Sequence, residues 1–178
     1  GATSYSNSTN IFSPEYVYDQ TKVSTDCASG SSLINTLDFL VNKGDVLWNT
    51  LPYSSGSCDL TPTSGQITEA ANNKIKSYSR VLSNDQTAIK TLLSNGHALA
   101  FTFTVDDNFW NAGPGYIWSS YSSTIYGPHA IALCGSDDSK KAYLAINHWG
   151  PLWGDAGYIW IDYTFFTNIT SSVWTMAL

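Results

Sequence analysis

A chain of 178 residues is long enough for one domain or for two small lobes, and with 43% hydrophobic and 14% aromatic residues it can build a packed core. Charged residues make up only 12%, the net charge is −6, and Lys and Arg nowhere cluster, which argues against nucleic acid and anionic membranes as partners. No apolar run approaches the roughly 18 residues that a membrane span needs.

Residues 1–13 are rich in Ser, Thr and Asn, lack periodicity and read as an irregular lead-in; Gly1 opens no signal-peptide pattern. Ser13-Pro14-Glu15 then predicts a short helix with Pro at its first position and Tyr16, Val17 and Tyr18 following. A second helix is predicted from about Ser31 to Lys43, because Leu33, Ile34, Leu37, Leu40 and Val41 fall on one face and Gly44 follows as a stop. The stretch from Trp48 to Gly65 is turn-rich. Asn84 or Asp85 announces a third helix, with Ile89, Leu92 and Leu93 on one face and Gly96 after it.

The second half changes character. His97–Val105 alternates loosely and predicts a strand buried on both sides. His129–Cys134, Ala142–Asn147, Tyr158–Tyr163 and Val173–Ala177 predict further strands, separated by Gly- and Asp-containing turns. Helices first and mostly antiparallel strands second imply an α+β fold of two lobes, 1–74 and 75–178, divided where the composition shifts.

Three cysteines leave one unpaired. Cys27 and Cys58 sit in polar, turn-rich surroundings and are expected to form a disulfide, whereas Cys134 ends the apolar run from Ala130 and is expected to be a buried thiol. Asn7-Ser8-Thr9 and Asn168-Ile169-Thr170 fit the N-glycosylation acceptor pattern, a tripeptide also frequent by chance. With the disulfide, these sequons suggest an extracellular or lysosome-like compartment.

Gly127-Pro128-His129-Ala130 places a histidine where an apolar strand begins. Eighteen residues later Asn147-His148-Trp149-Gly150 ends another strand, and Pro151-Leu152-Trp153-Gly154-Asp155-Ala156-Gly157-Tyr158 follows as a Gly- and Trp-rich hairpin. This Asn-x-Trp-Gly-x-x-Trp-Gly-x-x-Gly-Tyr pattern after a His-Ala strand start resembles the papain-like (cathepsin-type) cysteine peptidase family. Phe12-Ser13-Pro14-Glu15-Tyr16 and Asp26-Cys27-Ala28-Ser29-Gly30 resemble two further segments of that family, so the likeness runs from about residue 10 to the end.

The resemblance implies a papain-like fold with a helical lobe and an antiparallel β-barrel lobe, a peptide or protein substrate, and no cofactor. It implies His129 as general base and acid, and Asn147 as the amide orienting its ring. It implies Trp149 as the indole shielding that contact, Trp153 as a cleft wall, and Gly30 as backbone pairing with substrate. His148 stands where the family usually has a small residue, and reads as a solvated neighbour of His129. His97 reads as surface. A metal site from His129, His148, Asp137 and Asp138 lacks ligand spacing and is not expected.

The family's nucleophilic cysteine lies on a central helix, after an oxyanion-hole Gln and within Cys-Gly-x-Cys-Trp. The roughly eleven residues ahead of Phe12 contain neither Cys nor Gln and no helical pattern. The 178 residues by themselves are therefore expected not to cleave peptide bonds. Two readings follow: the C-terminal portion of a cysteine endopeptidase, active once a missing segment supplies Cys and Gln, or a catalytically inactive papain-like protein with a binding or structural role. The place of the central helix is expected to be filled by a further chain or segment, by a partner protein or neighbouring subunit, or by repacking of the lobes into a non-catalytic module.

Overall fold

The structure is a computed structural model that describes residues 11–54 and 58–178. The chain divides into two compact units, one running up to Tyr78 and including Ala177 and Leu178, the other Ser79–Met176.

The first unit is helical: α1 (Pro14–Thr21), α2 (Leu33–Asn42) and α3 (Ser64–Ala71). Each begins on a hydroxyl cap. The side chains of Ser13, Ser32 and Thr63 accept the N–H groups of Tyr16, Asn35 and Gln66, supplying partners for otherwise orphaned first-turn donors. At α3 the bond is reciprocal, Gln66 reaching back to the Thr63 N–H as a capping box. The first two helices are those expected from the sequence; α3 is an addition.

The apolar core of this unit is small. Tyr16, Val46 and Ala70 are buried together, with Val17, Phe39, Leu51 and Leu60 partly buried against them. The loops are instead tied down by carboxylates: Glu69 accepts the Leu47 N–H and the Thr50 hydroxyl at 2.8 Å each, and Asp19 accepts the Leu60 N–H at 3.0 Å. A disulfide joins Cys27 to Cys58, as the sequence suggested. Gly44, the stop after α2, holds φ +81°, where a Cβ would overlap the backbone carbonyl of Ala70. Only glycine fits a left-handed turn at so close a backbone approach.

The second unit holds most of the sheet, whose strands are β1 (Ser77–Leu82), β2 (Leu99–Asp106), β3 (Ile117–Trp118), β4 (Ile125–Asp137), β5 (Ala142–Ile146), β6 (Tyr158–Asp162) and β7 (Ser172–Ala177). The strand order is β1-β7-β2-β4-β5-β6-β3. β2/β4, β2/β7, β4/β5 and β5/β6 are antiparallel, while β3 lies parallel to β6. Helices α4 (Gln86–Ser94), α5 (Asp107–Trp110) and α6 (Tyr163–Ile169) complete it. Asp85 caps α4, as expected from the sequence.

β2 corrects one expectation. Leu99, Phe101, Phe103 and Val105 are buried, but Thr102 is exposed and Ala100 and Thr104 are only half-buried, so the strand buries mainly one face. With a side-chain period of two, that face meets Ile131 and Leu133 of β4 and the rings of Phe109, Trp118 and Phe166 in a single core cluster.

Candidate active site

His129 lies on β4 with Phe103 of β2 as its register partner. Its ring is half-buried among aromatic neighbours: centroids lie 5.5 Å from Phe103, 6.1 Å from Phe109 and 5.0 Å from Trp149. Asn147 follows the last residue of β5 and is 7% exposed, its own N–H donating to the Gly157 carbonyl at 2.9 Å. His129 Nε2 and Asn147 Oδ1 are 3.0 Å apart. The histidine and asparagine singled out in the sequence are thus brought together by two adjacent strands.

The proton on this contact can be assigned. Asn147 Oδ1 also accepts the backbone N–H of His148 at 2.8 Å, which fixes the amide with its oxygen, not its nitrogen, toward both partners. An amide oxygen only accepts, so Nε2 of His129 carries the hydrogen and donates it. The neutral ring then has its lone pair on Nδ1, the nitrogen free to take a proton. Asn147 Nδ2 is buried without a hydrogen-bond partner among the described residues.

Trp149 stands edge-on to Phe109 at 5.5 Å and to Trp153 at 5.4 Å, and its half-buried indole lies 5.0 Å from the His129 ring, tilted by 38°. Trp153 is fixed by its indole N–H, which is shared between the carbonyls of Phe109 (3.2 Å) and Trp110 (3.1 Å) at the end of α5. Gly154, φ +60°, closes the hairpin where a Cβ would strike the Tyr158 carbonyl. The Gly and Trp spacing of the motif therefore has a steric cause: the glycine admits a tight turn, and the turn carries the indoles.

Burial lowers the pKa of His129 below its ordinary value, with the Asn147 hydrogen bond opposing. His148 is lowered as well, first by partial desolvation of its ring and then by the neighbouring His129. The two imidazole centroids are 5.1 Å apart. His148 is an exposed residue, as read from the sequence, yet it stands against His129 as a neighbour in contact range.

Cys134 overturns an expectation: it is exposed. Ile131 and Leu133 point inward, so strand alternation turns Cys134 outward, next to the irregularity between Leu133 and Gly135. His129 shares the parity of the inward residues, and Cys134 does not. Partial desolvation raises its thiol pKa, so Cys134 is neither placed nor activated to serve His129.

Asp137 and Asp138 are placed elsewhere, about 25 Å along the strand from His129 at the usual rise. Asp137 is engaged by Ser139 and Lys140, and Asp138 by Lys90 and Tyr163. Gly30 belongs to the first unit, exposed at φ +72°, its carbonyl accepting the Val23 N–H at 3.1 Å. His97 is exposed, and so is Asn168 on α6. Asn7 lies outside the described residues. Phe109 and Trp110, unremarked in the sequence, prove to be part of the site's wall. Their signal was Asp106, whose carboxylate caps α5 by accepting the Phe109 N–H at 3.0 Å.

A family model described as papain family cysteine protease matches residues 3–175. The chain belongs to the papain family of cysteine proteases. Among curated proteins it is 29% identical over 158 residues to a cathepsin B-like protein, CP2, of Giardia intestinalis, covering 83% of this chain and 51% of that protein. Fruit bromelain of Ananas comosus is 30% identical over 149 residues, 75% of this chain and 39% of bromelain. The chain thus spans about half the length, or less, of these papain-family relatives. Among solved structures, xylellain, a cysteine protease from Xylella fastidiosa, superposes with a TM-score of 0.83 at 23% identity, covering 96% of this chain and 71% of that one. The bromelain protease of Ananas comosus in complex with the E64 inhibitor gives 0.70 at 22% identity, covering 98% and 81%. At these identities the two structures establish the papain-like fold.

Proposed function

We propose that this chain carries the histidine–asparagine half of a papain-type cysteine endopeptidase site, and that peptide-bond hydrolysis needs a cysteine and an oxyanion-hole Gln from a segment outside these 178 residues. The observation that carries the reading is the Nε2–H donated to Asn147 Oδ1, which leaves Nδ1 as the basic nitrogen. In this reading Nδ1 takes the thiol proton, the thiolate attacks the scissile carbonyl, and Nδ1–H protonates the leaving amine. The ring then takes a proton from the water that releases the acyl group. Trp149 keeps water from the Asn147 contact, Trp153 lines the site, and Gly30 offers backbone to the extended substrate. Secretion or delivery to a lysosome-like compartment, with glycans at Asn7 and Asn168, accords with the Cys27–Cys58 disulfide.

The second reading, an inactive papain-like protein that binds or assembles, is favoured by one observation: Cys134, the free cysteine, faces away from His129. The experiment is epoxide alkylation of the native polypeptide with its upstream sequence, followed by mass mapping. Alkylation at an upstream cysteine, abolished by His129→Ala together with at least a 100-fold loss of peptidase activity, is expected. Absence of any upstream label, with assembly unaffected by His129→Ala, overturns the first reading for the second.

A further inference from the structure

We propose that His148 is a positioning residue that controls the proton on His129, the two imidazoles titrating as one coupled pair. This rests on the reading of His129 as the site's base, and deepens it by naming a group that shifts the pH at which that base takes its proton.

The main chain and the side chain of His148 act on the same ring by different routes. Its backbone N–H holds Asn147 Oδ1, and so fixes which nitrogen of His129 bears hydrogen. Its imidazole stands 5.1 Å from the His129 ring, tilted by 42°. Two cations at that distance repel, so a proton on either ring opposes the second.

Little else near His129 answers that repulsion. β2 presents Phe103, α5 presents Phe109, and the turn after β5 presents Asn147 and Trp149, none of which is charged. The nearest carboxylates by chain position are engaged elsewhere: Asp106 with the N–H groups of Phe109 and Ser122, and Asp107 with Tyr126 and Asn111. Asp155 lies exposed in the hairpin, its backbone paired with Tyr158. No Lys or Arg occurs between Lys90 and Lys140 or after Lys141. Among the described residues, the charge that His129 meets is therefore that of the other imidazole. As pH falls, the first proton is shared between the rings and the second is delayed. As pH rises, His129 gives up its proton earlier than it would beside a small neutral residue.

The pair is read directly by ring Cε1–H NMR titration of the protein and of His148→Gln, which keeps bulk and polarity but cannot take a proton, with His148→Ser as a second variant. Both leave the backbone N–H to Asn147 in place. In the unsubstituted protein the His129 and His148 curves should each be biphasic, inflecting at the other's midpoint. In His148→Gln, His129 should titrate in one step with its midpoint raised by about half a unit to one unit, the effect of removing a like charge 5.1 Å away near the surface. Exposed His97 serves as the internal control and should not move. A single-step His129 curve in the unsubstituted protein, superimposable on that of either variant, overturns the proposal. If both variants misfold, the shape of the unsubstituted curves alone decides it. The readout needs no nucleophile, so failure of epoxide labelling and failure of this coupling are separate results.

Discussion

The two units reach order by different means. Ser79–Met176 buries a continuous aromatic and aliphatic cluster in which Phe101, Phe103, Phe109, Trp118 and Phe166 touch ring to ring. The unit ending at Tyr78 buries few apolar side chains together and relies on hydroxyl caps, carboxylates bonded to loop N–H groups, and a disulfide. A fold with a broad apolar face can be specified by pattern alone. One without it needs particular polar partners, each of which can be removed separately.

That contrast can be broken deliberately, starting with the largest effect. Phe166, fully buried and 5.0 Å from both Phe101 and Tyr143, should cost about 3–5 kcal/mol when replaced by Ala, read from urea unfolding. Replacing both Cys27 and Cys58 by Ala, which opens a loop spanning 31 positions, should cost about 3–4 kcal/mol on chain-entropy grounds, measured the same way. The first loss should appear in near-UV signals of the aromatic cluster, and the second in the helical signal of the other unit.

A third test uses pH. Asp45 is 7% exposed, and burial raises its carboxyl to about 7 despite the Val46 N–H that it accepts. The folded state therefore binds this proton more tightly than the unfolded chain, whose Asp titrates near 4. Its contribution is fully present below about pH 4 and is lost as pH rises through about 7. Stability should fall with rising pH over that window, at most by about 1.4 kcal/mol per pH unit from this group. Asp45→Asn should flatten the slope, read from urea midpoints at several pH values. Last and smallest, Thr63→Ala removes the capping box of α3 and should cost about 1 kcal/mol by thermal unfolding.

The same contrast explains what could be read from the sequence. α1, α2 and α4 carried caps or apolar faces, and β5, β6 and β7 were short apolar segments bounded by turns, so their existence was legible. So was the pairing of His129 with Asn147, because the Gly-rich hairpin beside it turns at Gly154, where a Cβ would strike the Tyr158 carbonyl. α3 was missed although Thr63-x-x-Gln66 spells its box, since its face buries only Ala70 and gives no apolar rhythm. α6, Tyr163–Ile169, was missed for the opposite reason: its aromatic and β-branched residues favour strands, and the tertiary core together with the Asp162 cap overrides them. Cys134 was misplaced because an unbroken apolar run hides the alternation that turns every second residue outward.

That outward turn has a practical side. Two of the three cysteines are joined to each other, so a thiol reagent meets a single reactive address in these residues, on the sheet face opposite His129. With its pKa raised, that address should react slowly at neutral pH. Counting thiols by rate thus yields a built-in reference: one slow equivalent belongs to Cys134, and any fast equivalent found in the native polypeptide must come from somewhere else.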